Sequence, residues 1–300
     1  MKNFLHSHFY PTLGFFLLQG IFYFLLLFLF GMYFGGFYIR LFLCLIYLYQ
    51  ITLCSPWPLF RQFIAFLRPY EYFHSTGTIF EEDNPFAEKK NMVAFHPHGI
   101  LATSLLLNYY RSKHFHDFHF LATRVLFFIP LGGIITRWLG VIEAVDPAHF
   151  EALMEKGENI GFLPGGFEEA TITNHNQDQV WVKSRKGFIK YGLKHGYNLY
   201  PSYSFNENRM FTCFTWFEEI RLFFNRWKTP GVFFCGRYGL LPRRDLHMFT
   251  VVGKRISLPK MEKITKEEVE KYHKIYLEKL EELYNKYKGK FESSEKLIIK

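Results

Sequence analysis

The sequence predicts an α/β fold, a largely parallel sheet flanked by helices, preceded by an N-terminal transmembrane helical hairpin. Three observations lead there. From about Arg61 onward, short apolar runs alternate with longer periodic segments, the pattern of a sheet with helices on its faces. Ahead of Arg61 the chain is almost free of charge. At the far end, one long amphipathic helix carries its own start signal.

The N-terminal stretch has no acid, Lys or Arg between Lys2 and Arg40, and its core, Leu13–Ile39, runs for 27 residues. As a helix this run extends roughly 40 Å, more than the ~30 Å hydrocarbon core of a bilayer. A second uncharged run covers Leu41–Phe60, with Pro56 and Pro58 ending its helix near Cys54. No small-residue cleavage site follows, so a signal peptide is a poor fit. Lys2 lies before the pair and Arg61 and Arg68 after it, so both ends are expected to face the cytosol. This divides the chain into a membrane hairpin over 1–60 and a cytosol-facing domain over 61–300.

Within that domain, strands are expected at Asn91–Phe95, Phe118–Ala122, Val141–Ala144, Ile160–Leu163, Leu199–Tyr203, Val232–Phe234 and Phe249–Val252. Helices are expected at Gly99–Tyr110, Ile129–Leu139, Pro147–Lys156 with Asp146 as N-cap, and Ser184–His195. Thr265 and Glu268 form a capping box for the last helix. Its stripe is Val269, Tyr272, Tyr276, Leu280, Leu283 and Tyr287, spaced by threes and fours. Glu81–Asp83 and Asn174–Asp178 read as surface loops.

Composition excludes several classes. With 49% hydrophobic residues, the 300-residue chain has ample apolar surface for a core, so wholesale disorder is excluded. Four Cys at 44, 54, 213 and 235 make no C-x-x-C pair, against a disulfide scaffold or a Cys-rich zinc module. The net charge is +9, yet the basic C-terminal helix is as rich in Glu and reads as a solvated face, not a nucleic-acid surface. No Ser lies in a G-x-S-x-G elbow, and no P-loop or G-x-G-x-x-G string occurs.

Three strings can carry chemistry. The first, Phe95-His96-Pro97-His98-Gly99, lies at a strand end just before a helix, where open α/β sheets bind ligands. There the helix dipole would keep His98 neutral, as a general base requires, and Gly99 would leave the first turn open. The same histidines could be zinc ligands, with His114, His116 or His119 completing a site, or simply a packed turn. The second string, Gly161-Phe162-Leu163-Pro164-Gly165-Gly166-Phe167-Glu168-Glu169, runs from a strand into a turn whose amides could face an oxyanion. One of its acids could orient a His ring, although an ordinary tight turn with solvated acids is also consistent. The third, Arg185-Lys186-Gly187-Phe188, places two cations at a helix start, suited to phosphate, or else solvated surface charge.

Together the strings resemble the type-2 diacylglycerol acyltransferase family, which includes monoacylglycerol and wax-alcohol acyltransferases. The resemblance runs in order over residues 61–290. It takes in His96-Pro97-His98-Gly99, Pro164-Gly165-Gly166-x-x-Glu169, Lys183-Ser184-Arg185-Lys186-Gly187-Phe188 and Tyr200-Pro201-Ser202-Tyr203-Ser204-Phe205-Asn206-Glu207-Asn208. Gly236-Arg237-Tyr238-Gly239, Leu241-Pro242, Val251-Val252-Gly253-Lys254-Arg255-Ile256 and Tyr272-His273-Lys274-x-Tyr276 continue it.

The resemblance implies a glycerolipid-acyltransferase-like sheet on the endoplasmic-reticulum membrane, with lipid droplets as a second location. It implies transfer of a fatty acyl chain from acyl-CoA, a co-substrate and not a cofactor, to diacylglycerol, or alternatively to monoacylglycerol or a long-chain alcohol. The hairpin would meet the bilayer, and oligomers are compatible with the sequence. A silent lipid-droplet protein and a zinc hydrolase are the competing classes. On this reading His98 is the base, Glu169 orients and stabilises its ring, and His96, Pro97, Gly99, Pro164, Gly165 and Gly166 shape the site. Arg185, Lys186 and Gly187 hold CoA phosphates. In the wider acyltransferase group an Asp follows the catalytic His by five positions; here that position is Thr103. Two further departures are Gly132-Gly133, where relatives usually carry an Arg, and Asn206, where they usually carry Gly.

Overall fold

The computed structural model describes residues 8–227, 231–239 and 241–300; Lys2, one of the cations flanking the expected hairpin, lies outside them. In chain order the elements begin with α1 (Tyr10–Gln19), α2 (Ile21–Phe34), α3 (Phe37–Thr52), α4 (Pro58–Leu67), β1 (Ser75–Phe80), β2 (Asn91–His96) and α5 (Thr103–Arg111). Next come β3 (Phe118–Thr123), α6 (Gly132–Leu139), β4 (Ile142–Val145), α7 (Pro147–Lys156), β5 (Asn159–Phe162), α8 (Gly166–Thr171), β6 (Gln179–Val180) and α9 (Gly187–His195). The chain continues with β7 (Asn198–Phe205), β8 (Thr212–Cys213), α10 (Glu218–Phe224), β9 (Phe234–Cys235), β10 (His247–Val252), β11 (Ile256–Ser257), α11 (Lys266–Tyr287) and β12 (Ile298–Ile299). These elements form two compact units. One holds the chain up to Tyr72 with His119–His149, the other Phe73–Phe118 with Phe150–Lys300.

In the first unit, the long apolar run is not one helix. It breaks at Gly20, where any Cβ would lie 2.1 Å from the Phe16 carbonyl oxygen. Among the described residues no single helix is long and apolar enough to cross a membrane. The pair Tyr10–Gln19 and Tyr23–Phe34, bent by 73°, together has the length and composition of a crossing segment. Helices α2 and α3 fold back on each other through Gly35-Gly36, and Gly31 lets Leu43 approach. Their outer surface leaves Phe30, Tyr33, Phe34, Phe37, Tyr38 and Phe42 exposed. The Gly132-Gly133 departure has a packing reason here. A Cβ on Gly133 would meet Gln50 Nε2 at 2.3 Å, and that amide donates to the Phe127 and Ile129 carbonyls (3.0 and 3.1 Å). Helix α6 starts at Gly132 rather than Ile129, because the residue before Pro130 is held extended. Strands β3 and β4 pair in parallel.

The second unit is built on strands in the order β1-β10-β7-β2-β5. Pairs β1–β10, β7–β2 and β2–β5 are parallel, whereas β10 and β11 both run antiparallel to β7, so the expected parallel sheet gives way to antiparallel pairing along one side of β7. Every residue of β2 is buried, the mark of a central strand covered on both faces. In register, Met92 faces Leu199 on β7 and Ile160 on β5, and His96 faces Tyr203. The chain therefore leaves β2, β5 and β7 at one edge, carrying three loops out side by side.

Helix α11 packs on this sheet. Its capping box forms as expected, with Thr265 Oγ1 accepting from the Glu268 amide (3.2 Å) and Glu268 Oε2 accepting from Thr265 (2.9 Å). The buried stripe is His273, Tyr276, Leu280, Leu283 and Tyr284, so Tyr272 and Tyr287 fall at its margins. Asp178, expected in a surface loop, is instead buried. Its carboxylate accepts from Tyr203 (2.7 Å), Tyr284 (2.9 Å) and the Ser294 amide (2.8 Å), joining sheet, α11 and the C-terminal segment. Asp178→Ala leaves the Tyr203 hydroxyl and the Ser294 amide without an acceptor, while Tyr284 keeps the Ser294 carbonyl (2.7 Å), and should lower stability by about 3 kcal/mol. Thermal unfolding of the purified chain measures that loss, and limited proteolysis should cut first in the released segment after Tyr287.

Candidate active site

The three loops bring together most of the residues singled out from sequence. His96 ends β2, fully buried, and the His96–Pro97 peptide is cis. Glu169 sits one turn into α8, after the Pro164-Gly165-Gly166 turn that follows β5. Because β2 and β5 are parallel neighbours, this carboxylate points back across the edge to the His96–Gly99 loop.

Glu169 is only 1% exposed, and a bare carboxylate at that depth is strongly disfavoured. Three N–H groups satisfy it. His96 Nδ1 lies 3.0 and 3.1 Å from its two oxygens, the His98 amide donates to Oε1 (2.7 Å), and the Trp181 amide donates to Oε2 (2.8 Å). Since a carboxylate only accepts, His96 Nδ1 is the protonated nitrogen and Nε2 accepts from the Tyr276 hydroxyl (2.9 Å). Burial, with the nearby Glu169 charge, pushes the Tyr276 phenol well above its ordinary range and keeps that proton in place.

The expectation that Glu169 orients the His98 ring is therefore corrected. Its ring partner is His96, and it reaches His98 through the main chain. The His98 ring is held by its own loop: Nδ1 donates to the Gly99 carbonyl (2.9 Å). A carbonyl cannot donate, so Nδ1 carries the proton, and Nε2 presents a lone pair. The pKa of His98 is lowered, chiefly by burial, against the Gly99 hydrogen bond and the Glu169 charge, which raise it.

Burial, rather than a helix dipole, is thus what disfavours the charged ring. Helix α5 starts four residues later than expected, at Thr103, and its first amides are already taken. Glu207, on the loop after β7, accepts from the Thr103 (2.8 Å) and Ser104 (2.9 Å) amides and from the Ser104 hydroxyl. Its carboxyl is pushed up to about 7 by burial, against the pull of those donors. The same side chain fills the space over Gly99, where a Cβ would lie 2.7 Å from Glu207 Cγ. Gly99 also has φ +59°, so this loop needs glycine for both reasons.

Gly165 is equally constrained, since a Cβ there would lie 2.1 Å from Glu169 Oε2, and Gly166 has φ +56°. Arg185 and Lys186 precede α9, each facing an acid: Arg185 pairs with Glu168 (2.5 Å) and Lys186 with Glu270. Gly187 opens α9, with nothing within 4 Å of a Cβ there. Of the histidines proposed as further metal ligands, His114 and His116 rest on the Phe80 and Tyr109 rings, and His119 faces Glu143, which also meets His149.

Two site residues escaped the sequence reading as such. Glu207 had one signal, its place in the Tyr200–Asn208 string, but its cap on α5 spans more than a hundred residues. Tyr276 stands in an apolar stripe and in the Tyr272–Tyr276 string, and neither points to a histidine partner. Its hydroxyl meets His96 across 180 residues of sequence.

A solved 1-acyl-sn-glycerophosphate acyltransferase, PlsC, from Thermotoga maritima aligns over 91% of this chain and 97% of its own, at 16% identity and a TM-score of 0.45. Among curated relatives, diacylglycerol O-acyltransferase 2 of Dictyostelium discoideum is 31% identical over 67% of both chains. Human acyl-CoA wax alcohol acyltransferase 1 is 30% identical over 73% of this chain and 72% of its own. Human diacylglycerol O-acyltransferase 2 is 29% identical over 69% of this chain, the alignment covering 59% of its own length. The model of the diacylglycerol acyltransferase family matches residues 57–300, the whole region that carries the three loops. This chain belongs to the diacylglycerol acyltransferase family and is an acyltransferase.

Proposed function

We propose that the chain transfers a fatty acyl group from acyl-CoA to the free hydroxyl of diacylglycerol, making triacylglycerol, with His98 as general base. One observation carries the reading: the Nδ1–Gly99 hydrogen bond leaves His98 Nε2 as a neutral acceptor on the loop at the sheet's carboxyl edge. In this mechanism the acceptor O–H gives its proton to Nε2 while its oxygen bonds the thioester carbon. The resulting oxyanion is held by amides of the Gly165-Gly166 turn. As the C–S bond breaks, the imidazolium returns the proton to the leaving thiolate. Glu169 fixes the loop through the His98 amide, and its charge favours the imidazolium that forms in between.

The same chemistry on a long-chain alcohol is the second reading, favoured by the similar identity to the human wax alcohol enzyme. Monoacylglycerol is the remaining acceptor. The α2–α3 hairpin leaves Phe30, Tyr33, Phe34, Phe37, Tyr38 and Phe42 exposed together, an apolar surface of the kind that marks a membrane contact, and we assign it to the lipid bilayer. On this reading the protein resides in the endoplasmic-reticulum membrane, with its catalytic loops on the cytosolic side.

Membranes containing the chain, given labelled oleoyl-CoA and each acceptor in turn, should form triacylglycerol with the highest kcat/KM. Faster wax-ester formation would move the assignment to the alcohol, and no transfer to any hydroxyl would refute it. His98→Ala should cut kcat by about 10²–10⁴-fold, the usual share of base catalysis, with the protein still folded. Because only neutral His98 acts, and burial lowers its pKa, the rate should be flat at neutral pH and fall with a midpoint below 6.5. Glu169→Gln removes a charge that raises that pKa, so the acid limb should move further down while kcat drops. An unmoved limb would leave Glu169 a purely structural part.

A further inference from the structure

The pair expected to hold phosphate, Arg185 and Lys186, is already matched by Glu168 and Glu270. A cavity of about 620 Å³ elsewhere in the same unit has a better claim. It opens where β7 ends and β10 and β1 begin, lined among others by Asn206, Arg209, Arg243, His247 and Lys290. Since β10 runs antiparallel to β7, with Phe249 opposite Phe205, this is the edge at which β2 releases His98. Two strand spacings separate the cavity from β2, about 10 Å. The link is also covalent: Asn206 lines the cavity, and its neighbour Glu207 packs against Gly99.

The cations are set in place. Asp245 grips Arg243 at Nε (3.3 Å) and Nη2 (2.8 Å), which leaves Nη1 outside that pair. Arg209 Nη1 donates to Asn206 Oδ1 (3.2 Å) and to the Glu292 carbonyl (2.6 Å). Lys290 rests over the Phe291 ring (5.6 Å) and has no ion pair among the described residues. His247 Nδ1 shares a hydrogen bond with Ser75 Oγ (2.6 Å), which leaves the other ring nitrogen outside that bond. Two acids, Asp245 and Glu292, also line the space, and Asp245 is committed to Arg243. Planar guanidinium groups with a lysine beside them match phosphate oxygens.

Asn206, the residue that departs from the family's usual Gly, belongs to this arrangement. It has φ +68°, which explains the usual Gly, and its side chain adds what Gly cannot. Its amide donates to the His247 carbonyl (2.9 Å) while its oxygen braces Arg209.

We propose that this cavity binds phosphate, as carried by the nucleotide end of the acyl-CoA donor, so that the pantetheine arm runs along the sheet edge to His98. The inference rests on the acyl-CoA reading above, and its test separates the two. The full chain in detergent micelles is assayed with oleoyl-CoA and with S-oleoyl-pantetheine, which lacks every phosphate. Binding of adenosine 3′,5′-bisphosphate is measured directly.

The double variant Arg243→Gln/Lys290→Gln, at two exposed positions, should raise KM for oleoyl-CoA about tenfold, or about 1.4 kcal/mol. It should leave kcat and the KM for oleoyl-pantetheine in place, and weaken nucleotide binding by the same factor. Asn206→Gly should shift the same constants in the same direction by less. Equal effects on both donors, or none on either, overturn the proposal. So does an effect confined to vesicles of phosphatidylcholine containing phosphatidic acid, which would assign the phosphate to a lipid headgroup. Should the wild type fail to use oleoyl-CoA yet bind the nucleotide through these cations, the transfer reaction falls and the phosphate site stands. A wild type that binds no nucleotide overturns the site itself.

Discussion

A carboxylate buried to 1% exposure organises the carboxyl edge of the sheet in this protein. Glu169 cannot keep its charge at that depth without donors, and the fold supplies them from three places: the His96 ring, the His98 amide and the Trp181 amide. That demand ties the loop after β2 to the turn after β5 and to the segment leading into α9. Each donor is fixed in turn. His96 is anchored at its other nitrogen by Tyr276 on α11, whose packing depends on the Asp178 hub. On the opposite flank Glu207 does similar work, closing the start of α5 and pressing on Gly99. With both flanks clamped, His98 is left one place for its Nδ1 proton, the Gly99 carbonyl. The bare nitrogen of His98 is thus defined by what the loop excludes. Among the described residues no carboxylate is hydrogen-bonded to its ring, and burial is what disfavours the cation.

Much of the second unit could be read along the chain because its central strands are covered on both faces. Asn91–Phe95 and Ile160–Leu163 stand out as apolar runs for that reason, and the structure places strands there within a residue. The Pro147 helix and the Thr265 capping box were legible because helix starts are encoded locally, in side chains three residues apart. The polar strand β1, Ser75–Phe80, was missed. It lies at the sheet's edge, half-buried along its length, and carries no apolar run. The break at Gly20 was missed too, since hydropathy counts apolar residues and is blind to a backbone contact with the Phe16 carbonyl.

The candidate site divides along the same line. His96, His98, the glycine turn and Glu169 could be found because each sits beside a strand end marked by Pro or Gly. Their pairing could not. Glu169 lies 73 residues from His96 and 71 from His98, and whether its oxygens meet the ring of one or of the other depends on a few ångströms of loop path. Glu207, Tyr276 and Asp178 act over roughly 25 to 180 residues of separation, and no local pattern records such contacts. Asn206 shows the opposite case. Its difference from the family was visible at once, but its meaning needed the left-handed backbone and the neighbouring arginine.

The central claim concerns one proton, and selective ¹⁵N labelling of histidine locates it. In bilayer nanodiscs at neutral pH, the His98 signals, assigned by their loss in the His98→Gln variant, should show a protonated Nδ1 and a bare Nε2. A ring protonated on both nitrogens, or on Nε2 alone, would contradict the account.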